Sequence, residues 1–490
     1  MTKFISLLLI AGSLFTLVSC GSSSSIQATP QLLGTSAAPI SGNSTAIPTR
    51  PYYKPGQLVD YTAQTGDTVS ALASRFNTTA QEIMAANPII PPDATTMPPG
   101  LPMKIPIYYR ELWGTSLKTI PDNAFVDGPT LIGFNTSAFV AAHSGWLKDY
   151  VGYANGEYRT GAEIVDLVAS NYSVSPRLLL ALLEYQAGAL SQTKKPKSQY
   201  ILGFNVLYSE TVYYQLIIAA QTLNNGYYGW RAGNLIEFER SDKTIVRPDP
   251  WLNAASVGIQ YYFAQLLSGP DYDFAVGPNG FAKAFKGLFG DPWANGLVLI
   301  PGSLKQPDFL LPFARSQTWT YTGGPHTGWG SGEPFAAVDF APPSQFHGCF
   351  TPDPQNYAIA AADGLVVRSD INGVALDLDG DGDERTGWVI FYLHLSAASR
   401  APLGTELHAG DKIGYPSCQG GETTGTHVHI ARKYNGEWIL ADGPLAFNFE
   451  GWITHEGAVA YQGTLTRNGI TVTACQCSNY LSQISSGAGP

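Results

Sequence analysis

The sequence is poor in charge. Only 13% of its 490 residues are Asp, Glu, Lys or Arg, and the formal net charge is −10. The 28 lysines and arginines are not concentrated in any basic block. A surface that attracts the phosphates of DNA or RNA is therefore not expected, and nucleic acid is excluded as a predicted partner.

Long hydrophobic runs are also scarce. The clearest run, 4–18, follows Lys3, and the letters LVSCG occupy 17–21. The run is shorter than a comfortable membrane span, and a basic residue before it is typical of a secretory signal. Its end resembles a bacterial lipobox, which implies that Cys20 becomes lipidated and anchors the chain to a membrane. A signal peptide cleaved elsewhere, with Cys20 incidental, is the alternative.

Cysteine is the third scarce feature, with four residues besides Cys20. Disulfides are plausible in an exported chain. Pairing Cys349 with Cys418, and Cys475 with Cys477, is one of three possible connectivities. A zinc site made of all four is a competing interpretation, but their spacing fits no standard ligand pattern.

The length is sufficient for about three domains. The order of helix-like and strand-like segments predicts a multidomain α+β protein, and the composition near its N-terminus predicts a Ser-, Thr- and Pro-rich tether. The predicted segments are a signal peptide (1–20), a flexible linker (21–58), a small module (59–107), a helical domain (108–315), a β-rich domain (316–455) and a C-terminal tail (456–490).

The small module, 59–107, shows turn and helix signals between two strand-like ends. Gly66 and Asp67 form a predicted turn, and Thr68 can cap the helix that follows. This βααβ pattern resembles the lysin motif (LysM), which binds glycans that contain N-acetylglucosamine. The resemblance implies a shallow glycan groove at Gly66, Asp67, Thr68 and Asn87. A spacer that binds nothing is the alternative.

The middle of the chain is predicted to be mainly helical. Apolar residues recur at helical spacing over 161–170, 175–188, 211–223 and 251–267. The run 174–183 is similar to the helix that carries the catalytic Glu of lytic transglycosylases.

In that register the position of the catalytic acid falls on Gln186, which cannot donate a proton to a glycosidic oxygen. Glu184 lies two positions early, about 200° around the helix. We therefore predict a lysozyme- or transglycosylase-like helical domain that is not catalytic. A structural spacer and glycan cleavage through Glu184 are the alternatives.

Six of the eight histidines lie between His326 and His429, and this clustering requires an explanation. The segment 427–431 alternates polar and apolar residues, as a half-buried strand does, so His427 and His429 should leave one face about 7 Å apart. The same alternation predicts that His394 shares a face with Tyr392.

A catalytic zinc ion needs three protein ligands and an open position, with further groups nearby to move a proton. His326, in the letters GGPH, precedes Asp339, in AVDF. These two residues and one of the paired histidines would supply three ligands. Two histidines would then be left for acid–base work.

These motifs resemble those of the lysostaphin-type (LytM) zinc endopeptidases of peptidoglycan, over roughly 318–452. The resemblance implies an antiparallel-β peptidase domain. It also implies that His326, Asp339 and His429 bind the metal, and that His394 and His427 are catalytic.

One position departs from the commoner members of that family. Those members have a histidine four residues before the aspartate, where this chain has Phe335. The wider gap between His326 and Asp339 is similar to that of the β-lytic branch, which implies cleavage next to small residues such as Gly or D-Ala.

The expected protein is a zinc metalloendopeptidase of the cell envelope, held outside the cytoplasm by its lipid anchor, that hydrolyses peptide bonds of peptidoglycan. The alternative is a non-enzymatic peptidoglycan-binding lipoprotein that recruits or activates another hydrolase. His143, His347, His408 and His455 match no motif and are expected to be structural or exposed. The acidic segment 377–384 echoes a calcium loop but lacks its final Glu, so a hairpin turn is the favoured interpretation.

Overall fold

The computed structural model describes residues 52–108, 114–345, 348–371, 373–477 and 479–487. The predicted signal peptide, Cys20 and most of the predicted linker lie outside the described residues. None of the helices within these ranges combines the length and the apolar character that a membrane crossing requires.

The N-terminal module has the βααβ order that the sequence predicts. Its elements are β1 (Gln57–Thr62), α1 (Val69–Phe76), α2 (Ala80–Ala86) and β2 (Pro102–Ile107). The two strands are antiparallel. The Thr68 hydroxyl caps α1 by accepting from the backbone N–H of Ala71, and Thr79 and Glu82 form a capping box on α2.

Helices dominate the next part of the chain. The elements are α3 (Asp122–Phe125), α4 (Thr136–Ala141), β3 (Val151–Ala154), β4 (Glu157–Thr160), α5 (Gly161–Tyr172), α6 (Pro176–Ala187), α7 (Val212–Ala232), β5 (Phe238–Glu239), β6 (Ile245–Val246), α8 (Ala254–Ala264), α9 (Gly269–Ala275) and α10 (Phe281–Phe289). The longest helix, α7, begins at the cap Thr211 and ends where Gly233 adopts a left-handed conformation.

The remaining chain forms β-structure. Its strands are β7 (Thr318–Thr327), β8 (Phe335–Ala341), β9 (Ala358–Ile359), β10 (Gly364–Asp370), β11 (Gly373–Asp377), β12 (Trp388–Leu393), β13 (Glu406–Leu407), β14 (Lys412–Gly414), β15 (Val428–Tyr434), β16 (Glu437–Trp438), β17 (Asn448–Phe449), β18 (Trp452–Glu456), β19 (Gly463–Arg467), β20 (Ile470–Thr473) and β21 (Gln483–Ser485). The acidic segment 377–384 lies in the turn between β11 and β12.

A nine-stranded antiparallel sheet carries the histidine motifs. Its strand order is β13-β10-β11-β12-β15-β8-β7-β21, and β16 pairs with β15. One face packs against a core that contains Val338, Tyr392 and Ile430. The opposite face, with Phe391 and Ala431, joins the core of the helical domain. Both faces of the sheet are therefore covered, which explains the nearly continuous burial of β12 and β15.

Buried polar contacts also tie the three parts together. The Arg231 guanidinium on α7 forms ion pairs with Asp122 of the helical domain and Glu437 of β16. It also donates to the Thr65 carbonyl of the N-terminal module. Arg75 of that module, in turn, donates to the backbone carbonyl of Trp230.

The predicted C-terminal tail contains ordered β-structure. Its last strand, β21, adds an edge strand to the main sheet beside β7. Two disulfides are present, Cys349–Cys418 and Cys475–Cys477. The first joins the loop after β8 to the loop before β15, on either side of the histidine cluster.

Candidate metal centre

Three neighbouring strands bring His326, Asp339 and His429 together. His429 lies directly opposite Asp339 in the pairing of β15 with β8, and His326 enters from β7 on the other side of β8. His326 Nε2 lies 3.0 Å from His429 Nδ1. Asp339 Oδ1 lies 3.2 Å from the first nitrogen and 3.4 Å from the second. The three side chains therefore face one point.

Backbone carbonyls determine which ring nitrogens carry a proton. His326 Nδ1 lies 2.8 Å from the Gly324 carbonyl, and His429 Nε2 lies 3.2 Å from the Gly328 carbonyl. Because a carbonyl oxygen can only accept, these outer nitrogens donate. The inner nitrogens therefore carry lone pairs in the neutral rings. Outer contacts of this kind orient histidine ligands in metal sites.

The donor set fits a zinc ion. Two imidazole lone pairs and a carboxylate oxygen converge, and Asp339 Oδ1 is buried without a hydrogen-bond donor. Ligands held at about 2.0–2.1 Å from a tetrahedral zinc lie about 3.3 Å from one another. The three observed separations, 3.0, 3.2 and 3.4 Å, match that edge length.

Electrostatics keep the carboxylate charged. Burial raises the pKa of Asp339, but His326 and His427 oppose this effect, and the pKa ends well below its usual range. Burial also lowers the pKa of His429, which favours its neutral form. An ionised carboxylate beside a neutral imidazole is the state in which both can donate electron pairs to a metal.

The two remaining motif histidines complete the cluster. His394 Nδ1 lies 3.0 Å from the Gln419 carbonyl, and His427 Nδ1 lies 2.7 Å from the Gly425 carbonyl. Nε2 is therefore the unprotonated nitrogen in each neutral ring. The two ring centroids are 4.5 Å apart, and His427 Nε2 lies 3.7 Å from Asp339 Oδ1.

His394 reaches this cluster by a route that strand alternation does not predict. We expected His394 and Tyr392 to share the histidine face, but Tyr392 points into the core and its hydroxyl accepts from the backbone N–H of Ala361. Phe391 lies on the same face as His429 instead. His394 follows the end of β12 with φ of +63°, and this left-handed turn redirects its side chain.

Tyr461 was missed by the sequence analysis. Its ring stacks on His326, with 4.1 Å between centroids and 20° between planes. Its backbone N–H donates to the Pro325 carbonyl, and its carbonyl accepts from the Gly324 N–H. The residue comes from the loop between β18 and β19, inside the predicted tail, and no motif marks it.

A cleft of about 150 Å³ gives access to the cluster at Asp339 and His427. Threonine side chains and small residues form much of its wall, including Thr322, Gly348 and Gly425. The Cys349–Cys418 disulfide holds together the two loops that contribute Gly348 and Gly425. The cleft is therefore narrow and has a fixed rim.

The predicted glycan-binding residues lie far from this cluster in the sequence, and most of them have internal partners. Asp67 is buried, accepts from the Tyr61 hydroxyl and forms an ion pair with Arg75. Asn87 is buried between α2 and β2, where its amide donates to backbone carbonyls. Gly66 lies against Arg231 of the helical domain. In this conformation the Asp67 and Asn87 side chains are therefore not presented to a glycan.

The other polar residues singled out from the sequence are dispersed. Glu184 accepts from the backbone N–H groups of Leu190 and Ser191, and so stabilises the loop after α6. His408 is exposed beside Asp363. His143, just after α4, donates to the Phe139 carbonyl, and His455 lies near Asp442. His347 lies outside the described residues.

The carboxylates of the acidic hairpin also approach one another. Possible ligand oxygens of Asp377, Asp379 and Asp381 lie within 4.8 Å of each other. Asp377 accepts from the backbone N–H groups of Asp379 and Gly382, which is the hydrogen bonding of a tight acidic turn.

Two family models match the chain. The model described as LysM domain matches residues 61–106, and the model described as LasA, N-terminal domain matches residues 118–303. The first match covers the βααβ module and the second covers the helical domain. The more specific prediction that the helical domain resembles a transglycosylase stays a prediction.

The chain is also similar to curated proteins and solved structures. Protease LasA from Pseudomonas aeruginosa strains PAO1 and UCBPP-PA14 is 25% and 26% identical over 343 residues, 66% of this chain and 75% of those proteins. The deep-sea M23 metalloprotease pseudoalterin is 23% identical, covering 34% of this chain and 96% of that chain, with a TM-score of 0.29. The catalytic domain of lysostaphin from Staphylococcus simulans is 24% identical, covering 26% and 89%, with a TM-score of 0.18.

Proposed function

We propose that this chain, a LytM-type peptidase that carries a LysM module, hydrolyses peptide bonds of peptidoglycan with a bound zinc ion. One observation carries the proposal. Two imidazole lone pairs and one carboxylate oxygen, on three different strands, converge at mutual distances of 3.0–3.4 Å. Three electron-pair donors that converge on one point in this way form the ligand set that a zinc ion requires.

His326, Asp339 and His429 would hold the zinc ion, and the outer hydrogen bonds of the two histidines keep their inner nitrogens directed at it. Zinc held there supplies the Lewis acidity that activates water for attack on a carbonyl. Tyr461 stacks on His326 and limits the rotation of that ring.

His427 and His394 would move the proton. His427 lines the cleft, and its Nε2 can accept a proton because Nδ1 already donates to Gly425. We assign the first proton transfer to His427 for this reason. Protonated His427 can then return that proton to the leaving amine, either directly or through the neighbouring His394.

The narrow cleft supports a preference for small side chains beside the scissile bond. A volume of about 150 Å³ accommodates an extended backbone with small side chains and leaves little room for large ones. Peptide bonds next to Gly or D-Ala are the substrates that fit this shape.

We further propose that the protein is retained at the cell envelope. The LysM module would bind the glycan strands, and lipidated Cys20 would attach the chain to the membrane, outside the cytoplasm. Attachment to the membrane and to the neighbouring glycan together would raise the effective concentration of enzyme at its polymer. Metabolic labelling with an alkyne fatty acid tests the anchor, because Cys20→Ser should abolish labelling.

The test of the peptidase is a muropeptide digest. The full-length protein should release products with new amino and carboxyl ends in the peptide part of peptidoglycan. A chelator should stop the release and zinc should restore it. His429→Ala should be inactive, whereas His408→Ala, an exposed histidine away from the cluster, should retain activity.

Other outcomes of the digest distinguish the alternatives. New glycan ends would indicate cleavage in the helical domain through Glu184. A protein that binds stoichiometric zinc but cuts nothing would contradict the peptidase. A protein with no zinc that stimulates a second hydrolase would support the recruiting lipoprotein.

A further inference from the structure

The segment 299–304, which follows the last helix of the helical domain, lies in a groove of the LysM module. The groove is formed by two loops of the module, 64–68 and 94–98. The first loop contacts the segment through Thr65. The Thr65 hydroxyl donates to the Ile300 carbonyl at 3.1 Å and accepts from the Ile300 N–H at 2.7 Å. One side chain thus satisfies both backbone groups of Ile300.

The second loop, 94–98, binds the rest of the segment through similar hydrogen bonds. The Thr96 hydroxyl donates to the Pro301 carbonyl at 2.7 Å and accepts from the Leu304 N–H at 3.1 Å. The Thr96 carbonyl accepts from the Ser303 N–H at 2.8 Å. The Thr95 hydroxyl donates to the Leu304 carbonyl at 2.6 Å.

The segment also packs closely against the groove. The Ile300 and Leu304 side chains are buried. A Cβ atom added to Gly302 would lie 2.6 Å from Pro98 Cα, so only glycine allows this approach without a shift. The segment is therefore held by backbone-directed polar groups on both loops and by two apolar side chains, as a bound peptide would be.

The groove coincides with the place where a glycan is expected. Gly66, Asp67 and Thr68 directly follow Thr65, and the loop of Thr96 follows Asn87 in the chain. Hydroxyls and carbonyls that satisfy peptide N–H and C=O groups suit the N-acetyl and hydroxyl groups of an amino sugar equally well. One set of polar groups cannot serve both ligands at the same time.

We propose that the chain's own segment 299–304 is the ligand of the LysM groove in the free protein, and that a glycan strand containing N-acetylglucosamine competes with it. Binding of the glycan releases the segment and loosens the attachment of the module to the helical domain. This inference depends on the glycan-binding part of the proposed function and not on its peptidase part.

The test changes the segment and leaves the groove intact. Gly302→Ala should push the segment away from Pro98, whereas Gly296→Ala, where an added Cβ meets nothing within 4 Å, is the matched control. Binding of an N-acetylglucosamine pentamer to the full-length proteins is measured by calorimetry. Gly302→Ala should bind about tenfold more tightly or better, because a larger fraction of its grooves is open. Gly296→Ala should bind like the unaltered protein.

Hydrogen exchange in the unaltered protein gives a second measurement that does not depend on a variant. The amides of Ile300, Ser303 and Leu304 should exchange faster when the pentamer is added. Equal affinity in all three proteins together with unchanged exchange would overturn the proposal, as would a failure of the pentamer to bind any of them. Peptidoglycan cleavage by the same preparations reports separately on the peptidase.

Discussion

Arg231 of α7 and Glu437 of β16 form a buried ion pair, with 2.8 Å between Nε and Oε1. Burial raises the pKa of Glu437, and the neighbouring guanidinium opposes that effect. The same guanidinium pairs with Asp122 and reaches the N-terminal module at Thr65. One side chain therefore joins the three folded parts of the chain.

Replacing that arginine should be costly. Arg231→Met would leave Glu437 and Asp122 buried without their counterion, and we expect a loss of about 3–5 kcal/mol in the free energy of unfolding. Urea denaturation followed by tryptophan fluorescence measures it. The control is Arg159→Met, which breaks a more exposed pair with Glu157 and should cost less than about 1 kcal/mol. Equal losses in the two variants would argue against the junction.

Zinc affinity should depend on Asp339. Asp339→Asn keeps the shape of the side chain but removes its charge, and we expect zinc affinity to fall by more than about 100-fold, beyond the effect of losing an outer contact. Competition with a chromogenic chelator measures this without any assay of activity. The exposed carboxylate of Asp363 provides the control, Asp363→Asn. Unchanged affinity in Asp339→Asn would remove the residue from the metal site.

A different result is expected for His394. His394→Ala should lower kcat for peptidoglycan cleavage by about 10²–10⁴-fold, the usual contribution of a proton-transfer group, while zinc stays bound. Metal analysis and muropeptide release on the same preparation separate the two effects. If zinc is lost along with activity, His394 belongs with the ligands instead.

Tyr461 should matter through its ring. Tyr461→Ala removes the stacking partner of His326, and we expect about a tenfold loss of zinc affinity, the upper end for an aromatic pair. Tyr461→Phe keeps the ring and should retain the affinity of the unaltered protein. The comparison uses the chelator titration, and a loss in both variants would assign the effect to the phenol hydroxyl.

The pH dependence of stability should include a contribution from Glu333. Burial raises its pKa to about 7, so the folded state holds a proton that the unfolded state releases at lower pH. For an acid with a raised pKa, stability is lost as the pH rises from the ordinary value, near 4.5, through 7.

Glu333→Gln should remove that loss, which amounts to at most about 3 kcal/mol. Urea denaturation at pH 5 and pH 8 measures the difference, and the exposed Glu239→Gln serves as the control. The same pH dependence in Glu333→Gln as in the unaltered protein would contradict the assignment.

Much of the site could be reached from sequence because it depends on local periodicity. Alternation in 427–431 predicts one face for His427 and His429, with Val428 and Ile430 directed into a core, and both apolar residues are fully buried. The motifs of His326 and Asp339 are brought beside them by strand pairing. The catalytic and ligand roles of these side chains remain predictions.

The rest depends on contacts that periodicity does not encode. The left-handed turn at His394 breaks the alternation of β12, so the prediction that His394 and Tyr392 share a face was wrong. Tyr461 contacts His326 from the loop between β18 and β19, which lies far from His326 in the sequence. The segment that covers the LysM groove contacts it through Thr65 and Ile300. The sequence around either residue contains no pattern that predicts this contact.

The multidomain α+β class and the LysM module were predicted correctly, since each of them follows from short-range signals. The helical domain shows the limit of what short-range signals predict. Helical spacing places α5, α6, α7 and α8 close to their observed positions, whereas the resemblance to a transglycosylase, which depends on one helix, stays a prediction. The match of 118–303 to the LasA N-terminal domain rests on the whole segment.

The covalent bond between Cys349 and Cys418 has a practical consequence for handling the protein. Material made in a thiol-rich cytosol, or stored with reductant, would leave the loops beside Asp339 and His427 untethered. Such batches would contain both molecules with the Cys349–Cys418 disulfide and molecules without it. Free-thiol titration should accordingly accompany each purification before specific activities are compared between laboratories.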